Sequence, residues 1–470
     1  MIAMVQNGAF KDRLIHVFEE NESIISNNDP SSVTKLRYES FNRFKELGMP
    51  TRKSEDWKYT DLTETLARDY YQYLQPQEQK SDIDSIFACE VHNFKTDQIS
   101  LLNGWHVHTA DALTKDSHGV IAGGLAEAMR KYPQIIEKYY AKYAEDGKNI
   151  FHALNTAFAQ DGVFIYVPDN VVIEKPIQVI SIINHDQNLF LQTRNLIILG
   201  KNSKITLVQC DDSTNQQSSF NNSLTEVFMD ESSHLEHYKL QNLNNVSTLL
   251  NSTYFHQNAS SRLSTFAITL NGGLIRNYTH VKLNGQGADA NVYGLYLMDK
   301  KQHVDNMVYI DHAVPNCTSN ELYKGILDDE ATGIFYGHIL VEKDAQKTMA
   351  YQSNRNILLT DKATANERPF LEIYADDVKC SHGATVGQLD TDALFYIRSR
   401  GICISSARLL LMYAFAAEVI NKITIGPLKT RIDDMVRRRL KGELSICDHC
   451  VLHCKNQEKE ITFDIDLSKV

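Results

Sequence analysis

The densest ionisable stretch of the sequence is Asp376-Asp377-Val378-Lys379-Cys380-Ser381-His382-Gly383-Ala384-Thr385. If Val378 to His382 is extended, side-chain alternation puts Cys380 and His382 on the same face, a soft thiolate beside an imidazole. That pair suits part of a metal or iron–sulfur centre. The plainer reading is a buried cysteine and a hydrogen-bonded histidine on a last strand. Two ligands are too few to close a site, so any metal here needs a second chain or distant residues.

A second cluster, Cys447-Asp448-His449-Cys450-Val451-Leu452-His453-Cys454, packs three thiols and two imidazoles into eight residues. In a helix Cys447, Cys450 and Cys454 fall on one face; in a loop they can wrap a metal, and zinc or an iron–sulfur cluster suits three thiolates. The usual second Cys-x-x-Cys half is missing, which leaves a redox-sensitive tail as the alternative. Asp311-His312 near Cys317 and the pair Asp328-Asp329 are expected in surface turns. Arg437-Arg438-Arg439, after Asp433-Asp434, is expected to be the solvated face of the last long helix, open to an acidic partner surface. No Walker loop, Gly-x-Ser-x-Gly or Gly-x-Gly-x-x-Gly is present, so this chain is not expected to hydrolyse nucleotides.

The elements that must position these groups fall into three regions. The first 160 residues read mainly as helix. Phe10, Leu14, Val17 and Phe18 have helical spacing over residues 9 to 25, and a second helix with Leu36, Phe41, Phe44 and Leu47 stops at Gly48 before Pro50. Further helices are predicted from about Leu125 to Tyr143 and from Ile150 to Gln160, while residues 81 to 120 are ambiguous. From Val163 to about Val378 the period changes to two, as in Val163-Phe164-Ile165-Tyr166-Val167, Ile205 with Leu207, Phe266 with Ile268 and Leu270, and Val281 with Leu283. Short strands punctuated by Asn, Gly, Asp and Ser suit either a sandwich or a stacked solenoid. The number of strands and the Asn- and Thr-rich turns lean toward the solenoid, although no strict repeat is visible. Helix returns over Asp392 to Arg400, then from Ser405 as N-cap through Asn421, then over Leu428 to Lys441 closed by Gly442.

The 470 residues are 43% hydrophobic and 23% charged, the balance of a folded globular protein. At roughly 150 residues per domain the length admits about three domains, a soft prior because β architectures run long. A formal charge of −11 lacks the positive field that phosphate-backbone binding needs, so nucleic acid is not the expected partner. No window approaches the roughly 20 apolar residues of a membrane span. Met1 to Phe10 carries no basic residue and lacks the regions of a secretory signal, so a soluble cytoplasmic protein is expected. Eight scattered cysteines then read as reduced thiols or ligands, and Asn-x-Ser/Thr triplets such as Asn258-Ala259-Ser260 carry no glycosylation meaning.

Several stretches resemble the SufB/SufD family of iron–sulfur cluster assembly proteins, and within it the SufD branch. They are Ser54-Glu55-Asp56-Trp57-Lys58-Tyr59-Thr60-Asp61-Leu62, Leu154-Asn155-Thr156-Ala157-Phe158 with Asp161-Gly162, and the long stretch from Leu371-Glu372-Ile373 through Cys380-Ser381-His382-Gly383-Ala384-Thr385 to Leu394-Phe395-Tyr396-Ile397-Arg398-Ser399-Arg400-Gly401-Ile402. The resemblance implies a mainly β fold, a right-handed parallel β-helix core between helical ends, divided as 1–160, 161–385 and 386–470. It implies pairing with a SufB-like paralogue through the β-helix and a SufC-like ABC-type ATPase at the C-terminal helical region, with a nascent iron–sulfur cluster or iron at the heterodimer interface. The family's interface histidine falls on His382, with Cys380 beside it. SufB-like scaffolds carry Asp-Lys-Cys-Gly before the final strands, whereas this chain reads Asp361-Lys362-Ala363-Thr364. The resemblance therefore implies a non-catalytic subunit that binds no nucleotide and does not build a cluster efficiently alone. Cys447 to Cys454 lies outside the family pattern.

Two other readings compete. A homodimeric metal-binding protein would use Cys447, Cys450 and Cys454, and a homodimer of the isolated chain could use the same β-helix edge as a paralogue. A carbohydrate-active β-helix enzyme would need paired carboxylates, and none rises above turn composition.

Overall fold

The computed structural model describes residues 2–5, 9–27, 29–76, 95–107, 111–144 and 149–441. The alternating stretch is a two-sheet β-solenoid, because successive strands pair not with each other but with the strand one turn away. One sheet runs from Val163–Val167 through Leu189–Leu199 and every second strand after it to Thr364–Ile373; the other runs from Ile177–Ile183 through Lys204–Ser213 to Lys379–Gly387. All these neighbours are parallel. That settles the choice between sandwich and solenoid.

Inward side chains of both sheets fill the solenoid with aliphatic residues, among them Ile205, Leu207, Val281 and Leu283. The turns are polar for a stereochemical reason: left-handed backbone recurs at Asn170, Asn202, Ser232 and Ser260. The N–H of Asn202 donates to Glu231 O of the next turn and Asn202 Nδ2 to Asn170 Oδ1, so polar turn residues link three successive turns.

Helices cover part of each outer face. Phe10–Ile25, Ser31–Glu46 and Ile150–Phe158 stack at the first sheet, with Phe10, Phe18, Leu154 and Phe158 in one cluster with Phe190, Phe220 and Leu250. The helix expected over Leu125 to Tyr143 is instead two, Leu125–Lys131 and Pro133–Tyr139, because Pro133 starts a new helix at its first turn. Of the ambiguous stretch 81 to 120, the described part forms short strands that extend both sheets, Asp97–Leu102 lying parallel to Ile177–Ile183.

Ile404–Ile420 and Gly426–Leu440 pack on the second sheet, burying Tyr238, Leu240, Phe266, Ile268 and Leu295. The N-cap of the first is Cys403, not Ser405, which lies inside the helix. Arg439 corrects the expectation of a wholly solvated basic face. Its guanidinium is buried, with Nε donating to Leu270 O at 2.8 Å, Nη1 to Asp299 Oδ2 at 2.6 Å and Nη2 to Gln302 Oε1 at 3.2 Å. Gly442, the expected stop, and Cys447, Cys450 and Cys454 lie outside the described residues.

Candidate functional site at the open end of the solenoid

Lys379–Gly387 is the final strand of its sheet and pairs in parallel with Met349–Leu358, Cys380 opposite Ala350 and His382 opposite Gln352. Ala350 belongs to the solenoid core, so alternation places Cys380, His382, Ala384 and Val386 in the inward columns of the end layer. The expected shared face of Cys380 and His382 is therefore present. Thr364–Ile373 closes the other sheet in the same way, bringing Glu367, Pro369 and Leu371 into the inward columns opposite. Neither final strand has a second strand beyond it among the described residues, so each presents a free edge of backbone donors and acceptors. The chain leaves the solenoid because Asp390 starts a helix, its Oδ1 accepting from the N–H groups of Asp392 and Ala393.

The two candidate ligands differ in environment. Cys380 is half-buried against the core, and burial pushes its thiol up, only partly offset by a hydrogen bond from the Ala350 backbone. It is a neutral thiol near pH 7 and a thiolate only under the pull of a cation. His382 is exposed at the mouth. Around the mouth lies an unusual amount of exposed apolar surface: Met349, Tyr351, Phe370, Ile373, Tyr374 and Val386. On the flank, His338 Nε2 meets Glu372 Oε2 at 3.1 Å.

A second exposed apolar patch lies on the C-terminal helices. Thr391–Ser399 buries no residue, and Phe395 is 75% exposed beside Tyr396, Ile402, Ile404 and Leu410. Cys403, exposed at the N-terminus of the next helix, is brought down to about 7 by hydrogen bonds with Ser405 and Ser406.

The remaining candidates are built into the fold. His312 is buried, its Nε2 2.8 Å from Ser319 Oγ, and Cys317 Sγ donates to Gly285 O at 3.4 Å. Asp311 faces Lys282 at 3.3 Å and is buried rather than in a surface turn. Asp329 does sit in a turn, accepting the N–H of Lys300. Asp361-Lys362 forms the turn before Thr364–Ile373, with Ala363 buried and Lys362 Nζ 3.0 Å from Glu330 Oε1. Among the described residues no group of three or more His, Cys, Asp or Glu gathers at metal-binding distance, so Cys380 and His382 are at most part of a ligand set.

Sequence reasoning missed two groups. Trp57 is clamped under the Arg276 guanidinium, 3.9 Å from its ring centroid, and Thr60 Oγ1 bonds Asp305, so the Ser54 to Asp61 stretch straps the N-terminal region across the first sheet. Beneath His382 the solenoid interior turns polar, with Gln352, Asn354, Asn356 and Glu321 all buried. The signal available was a run of polar residues at inward positions of strands predicted to fill a core.

Known proteins are similar to this chain in sequence. Residues 181–415 match the family model described as SUF system FeS cluster assembly, SufBD core domain, and residues 9–179 match the SufBD protein N-terminal region. An iron–sulfur cluster assembly SufBD family protein of Synechocystis is 28% identical over 444 residues, covering 91% of this chain and 95% of its own length. The iron–sulfur cluster assembly proteins SufD of Escherichia coli and Bacillus subtilis are each 28% identical, covering 84% and 88% of this chain and 90% and 95% of their own.

Proposed function

Since the chain belongs to the SufBD family of Suf-system iron–sulfur cluster assembly proteins, we propose that it is the SufD-type subunit of a SufBCD-type complex, organised as residues 1–160, 161–385 and 386–470. The single observation that carries this reading is the solenoid end. Its two free strand edges, the apolar belt from Met349 to Val386 and the exposed His382 lie together. A SufB-like paralogue with a similar edge would extend both sheets and bury that belt. His382 would then face the partner and hold iron or a nascent cluster, the cargo of the assembly, with Cys380 as an inner ligand once a cation lowers its thiol. The exposed patch of Phe395, Tyr396, Ile402 and Ile404 is the proposed seat of a SufC-like ATPase. This subunit contributes surface and ligands rather than catalysis. Arg439 and the packed helices behind the patch join that seat rigidly to the second sheet.

The test is co-purification with a SufB-like and a SufC-like protein, analysed by size exclusion with light scattering. A stable hetero-complex is expected, in which His382→Ala leaves assembly intact and lowers cluster yield. Failure to associate with both partners folded would overturn the reading.

A further inference from the structure

Two rungs beneath His382 the solenoid interior holds a carboxyl group with no ion-pair partner among the described residues. Glu321, on Thr318–Leu327, is 0% exposed. In the parallel register it faces Gln352, which faces His382. Gln352 Nε2 donates to Glu321 Oε2 at 3.1 Å. The two remaining atoms of this pairing, Glu321 Oε1 and Gln352 Oε1, are both buried and both lack a hydrogen-bond partner. An ionised carboxylate accounts poorly for that pattern, because two acceptors cannot bond each other and each forfeits its hydration without return. A proton on Glu321 Oε1 would make that atom a donor, the form an acceptor such as Gln352 Oε1 calls for.

We propose that Glu321 and Gln352 form a reciprocal acid–amide pair inside the solenoid, Gln352 Nε2–H donating to Glu321 Oε2 and Glu321 Oε1–H to Gln352 Oε1, and that this pair positions His382 in the next rung. The positioning role rests on the function proposed above; the pair itself does not. The surroundings fit a neutral acid. Val292 precedes Glu321 in its column, and the phenols of Tyr323 on the same strand and Tyr296 on the neighbouring strand are buried. Glu367 is occupied by Asn356, whose Nδ2 donates to its Oε1 at 2.6 Å. From the opposing sheet comes Gly337, where a Cβ would lie 2.1 Å from Gln352 Nε2. Glycine there leaves the amide its place. Burial pushes Glu321 up to about 8 against the lowering effect of the Gln352 hydrogen bond. Held by two hydrogen bonds and packed on Gly337, the Gln352 side chain is a fixed floor for the imidazole above it.

The test uses the full chain, with infrared spectra at neutral pH and thermal unfolding from below the ordinary glutamate value of 4.5 to above 8. The wild type should show the C=O stretch of a protonated carboxylic acid that disappears in Glu321→Gln. That variant rebuilds both bonds as an amide–amide pair and should melt above the wild type. The gap should widen as pH rises between those two values and then stay constant, since only the folded wild type must keep a proton that the unfolded chain has released. Gly337→Ala, which displaces Gln352 without touching Glu321, should alter that band and lower the melting temperature. Absence of the acid band, or Glu321→Gln melting below the wild type throughout, would overturn the pair in favour of an ionised Glu321. In the hetero-complex, Glu321→Leu should lower cluster yield and Glu321→Gln restore it. If Glu321→Leu leaves the yield intact while His382→Ala removes it, the positioning role is wrong. If His382→Ala is also without effect, the functional reading fails while the infrared result still decides the pair.

Discussion

His382 stands directly opposite Gln352 in the register of the last two strands of its sheet, an exposed histidine on the end strand paired with a glutamine that is only 3% exposed. The rim of the solenoid is thus coupled to its interior through one column of side chains. The His382 end can be altered without disturbing the core, whereas substitutions one or two rungs below act on stability first.

Replacing His382 with alanine should therefore leave the chain's own stability within about 0.5 kcal/mol of the wild type, as for an exposed side chain outside any packed cluster. Chemical denaturation of the isolated chain checks this. A larger loss would mean that the imidazole is part of the fold.

Gly325→Ala should be costly. A Cβ there would sit 2.0 Å from Asn356 Oδ1 and 2.1 Å from the Tyr296 ring, and both neighbours are buried. The expected loss is about 1–3 kcal/mol, from overpacking a close-packed interior. Urea unfolding of the variant measures it.

Arg439→Ala should loosen the C-terminal helices from the second sheet. It removes the charge facing Asp299 and strands the Leu270 carbonyl. The expected cost is roughly 3 kcal/mol, the lower range for breaking a buried pair. Hydrogen exchange should rise across Gly426–Leu440 before the solenoid strands respond.

Acid should destabilise the protein through His237. It is buried between Gln209 and Thr265, with ring nitrogens 2.8 and 2.9 Å from their oxygens. Burial lowers it from 6.5 to about 3, so the folded chain keeps it neutral where the unfolded chain protonates it. Stability from this residue is complete above 6.5 and is lost as pH falls toward 3, at about 1.4 kcal/mol per pH unit. His237→Gln should flatten that limb of the stability–pH curve, and an unchanged slope would refute the assignment.

Among the cysteines in the described residues, Cys403 should be alkylated fastest at neutral pH. Hydrogen bonds with Ser405 and Ser406 bring it down to about 7, while burial raises both Cys380 and Cys317. Peptide-level mass spectrometry after a short iodoacetamide pulse should rank Cys403 ahead of Cys380 and Cys317.

The sequence alone determined the alternation that makes strands, the helices at both ends and the Cys380–His382 stretch, because each is a local pattern of residue types. It left solenoid and sandwich open for a physical reason. Phe266, Ile268 and Leu270 alternate like Ile205 and Leu207, yet the first set faces outward under the C-terminal helices and the second inward. With apolar residues wanted on both faces, periodicity cannot say which side is the core. Tertiary structure decided that, and it decided the fate of charges whose partners lie far away in sequence. Arg439 reads locally as part of a basic face and is buried only because Leu270 and Asp299 come to it across 169 and 140 residues. Glu321 is likewise an ordinary glutamate until Gln352, 31 residues later, stacks on it inside the solenoid. That His382 occupies the end rung follows from where stacking stops, and only the assembled turns show it.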